Sequence, residues 1–175
     1  EYYKGIFTIL SSCASRQLEE VTFRRTVIPV QELLDAAGKY FKKSMKNRSE
    51  RIELEIEPME AKVIGDVNQL RFLLENLIDE ALTVREDGVI RLQARLDNEY
   101  IRFLFTDTRR EKSVEELNQL FYPNLARMTS GEKGELRGTE YLVCKQIIRD
   151  HDEFAGRRGC RINAEPAEGG GFTVY

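Results

Sequence analysis

Residues 63–81 read VIGDVNQLRFLLENLIDEA, and this stretch decides the fold. Asp66 is a good helix N-cap, because a short side-chain oxygen at that position accepts from the unpaired N–H groups of the first turn. After it, Leu70, Leu73, Leu74, Leu77, Ile78 and Ala81 recur at the i, i+3, i+4, i+7 spacing that gathers apolar residues on one helical face. The spacing predicts a helix that covers a core. Asn76 and Glu80 stand four residues apart and off that stripe, one above the other on a flank. Such a polar pair either lines a pocket or meets solvent, and spacing alone does not choose between them.

Working outward, Val89 to Ala94 (VIRLQA) and Tyr100 to Thr106 (YIRFLFT) read as two strands joined by a short turn at Asp97-Asn98, and the second runs into Asp107-Thr108. Upstream, Val30 to Leu34 begins a helix in which Leu34, Ala37, Phe41 and Met45 share one face while Lys39, Lys42, Lys43 and Lys46 share nearly the opposite one. Arg51 to Glu57 (RIELEIE) alternates polar and apolar residues as a half-buried strand should, and Pro58 closes it. Downstream, Leu136 to His151 reads as a last helix and Cys160 to Glu165 as a strand. Asp152 to Gly159 forms the turn between them, and Gly169-Gly170-Gly171 precedes a terminal strand, Phe172 to Tyr175.

The chain has 175 residues, 41% hydrophobic and 33% charged, which is enough for one good core. No apolar run approaches the roughly 18 residues that a membrane helix needs, and no signal peptide is visible. Cys13, Cys144 and Cys160 have neither disulfide parity nor metal-ligand spacing, which fits a reducing, cytoplasmic setting. A net charge of −3 and a pI near 5.5 disfavour a nucleic-acid partner.

Asn76-Leu77-Ile78-Asp79-Glu80-Ala81 resembles the N-box, N-L-x-x-N-A, of the ATPase superfamily of histidine kinases, gyrase B, Hsp90 and MutL. The similarity continues in the right order. The strand ending at Asp107 is similar to the one that closes in D-x-G-x-G, Leu120-Phe121-Tyr122-Pro123 resembles the F-box, and Asn124 to Leu136 has the composition of a lid over the nucleotide. Leu136 to His151 resembles G-T-G-L-G-L-x-I-x-K-x-I-V-x-x-H, and the C-terminus resembles the final G-x-G-T-x-F strand. With the helix and strand that precede the N-box, the resemblance spans nearly the whole chain. It implies an α/β fold of the α+β two-layer type, a mixed β-sheet with helices packed on one face, those containing Leu34, Leu74 and Ile147. It also implies the catalytic, ATP-binding domain of a sensor histidine kinase, with residues 26–175 as that domain and 1–25 as the tail of a dimerisation-type helix or linker.

The departures from the family's pattern fall where it touches nucleotide. By the resemblance, Asp107 is the aspartate that bonds the adenine amino group, Asn76 is the one polar N-box residue kept, and Gly138 with Thr139 belongs to the phosphate-binding helix start. Glu80 replaces the N-box asparagine that offers a neutral oxygen to Mg²⁺, and Thr83 stands where a lysine often follows. Arg109 and Glu111 replace the glycines after the strand, and Leu136 and Glu140 replace two glycines of the last motif. Glycine serves where backbone approaches a ligand closely, so Arg109 is expected to take the space meant for the adenine ring, and Glu140 to add bulk and repulsion at the phosphate end. Five such replacements imply a pseudo-ATPase: a signalling domain with lost or weak ATP binding that acts as a regulatory or interaction module.

Two other readings stay open. In one, the domain is a working kinase domain that binds ATP and Mg²⁺ at an altered metal site with Glu80 as ligand; it then needs a phosphoacceptor histidine outside this chain. In the other, Glu80, Glu111 and Glu140 line one acidic cavity for a positively charged guest. The implied partners are other domains of the same sensor protein, a response regulator or partner kinase, and a second copy through the N-terminal helix. Nucleic acid and direct membrane insertion are not expected. The implied location is the cytoplasm, or the cytoplasmic part of a membrane-anchored sensor.

The remaining features read as structure. The lysine stripe is the wet face of an amphipathic helix, and Asn47-Arg48-Ser49 is a polar helix-to-strand turn. The glycine run opens no helix and lacks the lysine and hydroxyl of a phosphate loop, so it is a hairpin turn. His151, the chain's one histidine, is a helix-end residue that packs or caps rather than a phosphoacceptor. Ile6, Leu10, Cys13 and Val21 lie loosely on one face of an N-terminal helix.

Overall fold

Asp66 caps as its position predicts: its carboxylate accepts from the backbone N–H of Asn68 at 3.0 Å and of Gln69 at 3.2 Å. It opens the helix Val67–Ala81, whose Leu73, Leu74, Leu77 and Ile78 are buried. The computed structural model describes residues 23–122, 139–156 and 158–175. In chain order these form β1 (Thr26–Pro29), α1 (Val30–Met45), β2 (Ile52–Ile56), β3 (Lys62–Gly65), α2 (Val67–Ala81), β4 (Gly88–Asp97), β5 (Tyr100–Asp107), α3 (Val114–Asn118), α4 (Glu140–Phe154), β6 (Ala164–Pro166) and β7 (Phe172–Val174).

Five strands make one mixed sheet in the order β2-β4-β5-β7-β6. β2 runs parallel to β4, with Leu54 opposite Ile90, and every other pair is antiparallel. Alternation sorts the two faces. Ile90, Leu92 and Phe105 point into the core and are nearly inaccessible. On the opposite face Arg91 bonds Glu55 at 3.0 Å and Gln93 bonds Glu57 at 2.9 Å, a cross-strand polar ladder facing solvent. The helices supply the second layer: α2 packs against both α1 and α4, and Leu34, Leu74 and Ile147 are buried with the sheet's inner residues in one hydrophobic cluster. The expected α/β two-layer architecture is the observed one.

The register of β5 matters most, because it carries Asp107 to the end of the sheet. Ile90 pairs with Asp107 and Asp97 with Tyr100. The tight connection is Asn98-Glu99 rather than Asp97-Asn98: Asp97 still pairs in the ladder, and Asn98 takes the left-handed φ of 55° that asparagine tolerates well. At the far side, Gly171 lies so close to the end of β5 that a Cβ there would stand 2.0 Å from the Asp107 carbonyl oxygen, and its φ is +80°. Glycine is required at that crossing.

Several expectations need correction. β1 and β3 form a separate antiparallel two-stranded ribbon, Val27 opposite Ile64, that short segment length hid in the sequence. The last helix does not end at His151 but runs to Phe154. Of the expected strand Cys160–Glu165 only Ala164 and Glu165 fall within the observed one, Ala164–Pro166. Its start is drawn away because the N–H groups of Gly159 and Cys160 both donate to the Asp152 carboxylate, at 2.6 and 3.0 Å. Residues 23–25, assigned to the N-terminal helix, are not helical. Ile6, Leu10, Cys13 and Val21, Pro123 of the F-box, the expected lid Asn124 to Leu136, and Gly138 all lie outside the described residues.

Candidate functional site

Asp107 ends β5 beside the C-terminus of α2, and its carboxylate is 4% exposed. Arg109, two residues on, folds its side chain back over it. The Nε–H donates to Asp107 Oδ1 at 2.9 Å and one Nη2 hydrogen to Oδ2 at 2.9 Å, the parallel two-bond geometry that makes arginine–carboxylate pairs strong. The other Nη2 hydrogen goes to the Ala81 carbonyl at 2.5 Å, and Nη1 donates to the carbonyls of Val84 at 2.8 Å and Glu86 at 3.0 Å. Arginine has five N–H donors, and each has an acceptor here. The Arg109 backbone N–H adds another bond to Asp107 Oδ1 at 3.0 Å.

The reason for this arrangement is local. Helix α2 ends with carbonyls that have no partner within the helix, and the negative end of its dipole favours a cation. A guanidinium at that end satisfies Ala81, then the carbonyls of the loop that follows, and the Asp107 carboxylate balances its charge. Only 1% of the Arg109 side chain is exposed. Gly88 completes the enclosure: its φ is +149°, and a Cβ there would sit 2.4 Å from Arg109 Cγ. That glycine leaves the room the arginine stem occupies.

The other predicted residues lie on or next to α2, α4 and the end of β5. Asn76 is buried, and its side-chain amide donates to the Phe72 carbonyl one turn back at 2.7 Å. Glu80 follows on α2 and is half-buried. Next to it, Asp79 accepts a 2.6 Å bond from the Tyr40 hydroxyl. Burial pushes the Asp79 carboxyl above its ordinary range and the Glu140 charge pushes it further, against the Tyr40 bond. Tyr40 is pushed up likewise, by burial first and then by Asp79.

Thr139 is the N-cap of α4 but makes no side-chain capping bond. Glu140 opens the helix, so the dipole's positive end is met by the chain's own carboxylate. Glu111 is exposed, with Oε1 3.7 Å from where a Cβ of Gly170 would lie, beside the β6–β7 turn. Phe121 packs edge-on against Tyr141 with ring centroids 5.8 Å apart, and Lys145 lies over the Tyr122 ring at 4.6 Å. Among the described residues no cluster of three metal-ligating side chains occurs.

The sequence named Arg109 as an obstruction but missed its acceptors Ala81, Val84 and Glu86, which act through backbone, and Gly88, whose one signal was a glycine directly before a strand. Both Asp107 oxygens accept from Arg109, and the Arg109 stem fills the space over Gly88.

His151 sits elsewhere, at the junction of α4, α2 and the entering chain. Its Nδ1–H donates to the Ile147 carbonyl at 2.8 Å and its Nε2 accepts from the Asp66 N–H at 3.0 Å. Phe23 packs edge-on against the ring at 4.9 Å. Burial, the dominant influence, pushes its pKa down from 6.5, while the Ile147 bond and the charges of Asp66 and Asp150 push the other way. It is a packing residue, as its placement implied. The four lysines 39, 42, 43 and 46 are all exposed.

Residues 65–175 match the family model described as histidine kinase-, DNA gyrase B-, and HSP90-like ATPase. No curated protein matches the chain in sequence. Among solved structures it is similar to the catalytic domain of histidine kinase ThkA, at 20% identity over 86% of this chain and 92% of that one, with a TM-score of 0.64. It is also similar to the mycobacterial sensor histidine kinase MprB, at 17% identity over 86% and 94%, TM-score 0.65. A third is the cytoplasmic segment of histidine kinase QseC, at 17% identity over 95% and 90%, TM-score 0.56. At these identities the structural likeness speaks to the fold. No helix among the described residues is long and apolar enough to cross a membrane.

Proposed function

From the premise that the chain belongs to the histidine kinase-, DNA gyrase B- and HSP90-like ATPase family, we propose that it is a pseudo-ATPase signalling domain that works through contacts with neighbouring domains rather than by phosphoryl transfer. One observation carries this reading: the Arg109 guanidinium occupies the carboxylate that the family resemblance assigns to adenine, with every donor satisfied.

A magnitude makes the argument. For adenine to reach Asp107, Arg109 must leave a site in which it and its partner are both buried, and separating a buried ion pair costs about 3–5 kcal/mol. At about 1.4 kcal/mol per tenfold, nucleotide affinity falls by about two to three and a half orders of magnitude. A site that is micromolar without the plug becomes roughly millimolar with it. Glu140 at the start of α4 and Glu80 on α2 add negative charge where a triphosphate would lie, which lowers affinity further. Glu80, the metal ligand of the Mg²⁺ alternative, does not remove this obstacle.

Partners then follow from domain context: other domains of the same sensor protein, a response regulator or a partner kinase, engaged in a cytoplasmic setting. Calorimetric titration of the purified chain with a non-hydrolysable ATP analogue, with and without Mg²⁺, tests the proposal. Absence of heat below millimolar ligand is the expected result. Mg²⁺-dependent binding in the micromolar range overturns it and restores a kinase reading with Glu80 at the metal.

A further inference from the structure

Phe23, Arg24 and Arg25 lead into β1, and each is held by a different group where α2 begins and α4 ends. The Phe23 ring stands edge-on to His151 with centroids 4.9 Å apart and lies tilted against Phe154 at 5.7 Å. The Arg24 backbone N–H donates to Asp66 Oδ2 at 2.9 Å, while Oδ1 of the same carboxylate caps α2. The Arg25 guanidinium lies against Gly156, just past the C-terminus of α4, where a Cβ would stand 2.8 Å from Nη2. A helix C-terminus favours a cation.

His151 pins this junction together. Its ring passes so close to Gly65 that a Cβ there would stand 2.8 Å from Nε2. Because Nε2 accepts from the Asp66 N–H, the ring proton is on Nδ1, which donates to the Ile147 carbonyl. Both nitrogens are thereby committed in the neutral ring. A second proton has only Nε2 to go to, and it would aim a donor at the Asp66 N–H, so the imidazolium must turn away. The charges around it set where it turns. Asp66 at the start of α2 and, after it, Asp150 on α4 attract the imidazolium. β3 presents the uncharged Gly65, and the entering segment brings the cations Arg24 and Arg25, both exposed. An imidazolium drawn to the Asp66 carboxylate competes with the Arg24 N–H for Oδ2.

We propose that Phe23–Arg25 is a proton-operated latch: neutral His151 fixes the course of the entering chain against the ends of α2 and α4, and protonation of His151 frees it. The hinge is Thr26, where pairing of β1 with β3 begins, so release redirects the entering chain and leaves the sheet in place. Burial holds the ring in its neutral form, so the latch is closed at neutral pH and opens on acidification. Asp107, Arg109 and Glu80 take no part, and the latch is independent of whether the domain binds nucleotide.

Amide hydrogen exchange of the isotopically labelled full chain, followed by NMR from about pH 7.5 to about pH 5, tests this. Each rate is referred to that of an unstructured peptide at the same pH, and the ring titration is read from the His151 carbon-bound protons. Protection of the Arg24 N–H is expected to fall by up to about tenfold per pH unit below about pH 6.5, and to be gone at the midpoint of the ring's own titration. The Leu74 N–H, in the middle of α2, is expected to remain protected at least about a hundredfold at that pH. In His151→Gln, Arg24 protection is expected to be independent of pH over this range. Phe23→Ala is expected to lower it at neutral pH without exposing Leu74. An Arg24 N–H still protected once the ring is protonated, a ring that stays neutral to about pH 5, or a Leu74 N–H that loses protection together with Arg24 overturns the proposal. Should His151→Gln fail to fold by circular dichroism, the coincidence of ring titration and Arg24 exchange in the parent decides.

Discussion

Arg109→Ala isolates the feature on which the functional reading turns. The substitution deletes five side-chain hydrogen bonds, two to Asp107 and three to the carbonyls of Ala81, Val84 and Glu86. It leaves the Asp107 carboxylate, 4% exposed, as a buried charge without its counter-ion. Breaking a buried pair from one side costs about 3–5 kcal/mol, and for a chain of this size each kcal/mol moves the melting temperature by about 2–4 °C. A drop of about 6–20 °C is therefore expected. The double variant Asp107→Asn/Arg109→Met strands no charge and is expected to be more stable than Arg109→Ala by at least about 1 kcal/mol. Urea unfolding followed by far-UV circular dichroism measures both, with the slope of stability against urea compared to confirm one transition. An Arg109→Ala variant within about 1 kcal/mol of the parent would refute the claim that this guanidinium is an integral part of the fold, and a double variant no better than the single would refute the charge argument.

Arg109→Gly/Glu111→Gly, which returns two glycines to the strand end, is expected to raise affinity for a non-hydrolysable ATP analogue by at least about tenfold over the parent in calorimetry, since Asp107 is then uncovered. Gly88→Ala places a methyl 2.4 Å from Arg109 Cγ at a φ of +149° and is expected to destabilise by about 1–3 kcal/mol in thermal melts. Part of that loss should vanish in an Arg109→Ala background, because the clashing partner is gone. His151 has a folded pKa held below 6.5 by burial, so on acidification the unfolded chain takes the proton first. Its stabilising contribution is complete above about pH 6.5 and is lost as pH falls from there through the folded value. Stability measured against pH should decline across that window in the parent and be flatter there in His151→Gln.

The elements that sequence revealed are those whose signal is local. The cap at Asp66 and the stripe from Leu70 to Ala81 lie within a few turns of one another, and RIELEIE declares its two faces by alternation alone. β1 and β3 gave no such signal, because four-residue strands that pair across some 35 residues take their identity from each other. The same limit truncated the strand expected at Cys160, where the Asp152 side chain claimed the Cys160 N–H along with that of Gly159 just before it.

By itself the sequence determined the layered α/β fold, the order of its motifs, the family they point to and the positions at which the family's glycines are replaced. It also placed an arginine where an adenine ring was expected. Only the tertiary structure decided what that arginine does. Its acceptors are the carboxylate two residues back and three main-chain carbonyls 23 to 28 residues away, and a carbonyl oxygen is the same in every residue. Periodicity and side-chain type are written in the sequence, whereas the convergence of anonymous backbone acceptors on one cation exists only after helix, loop and strand have been brought together.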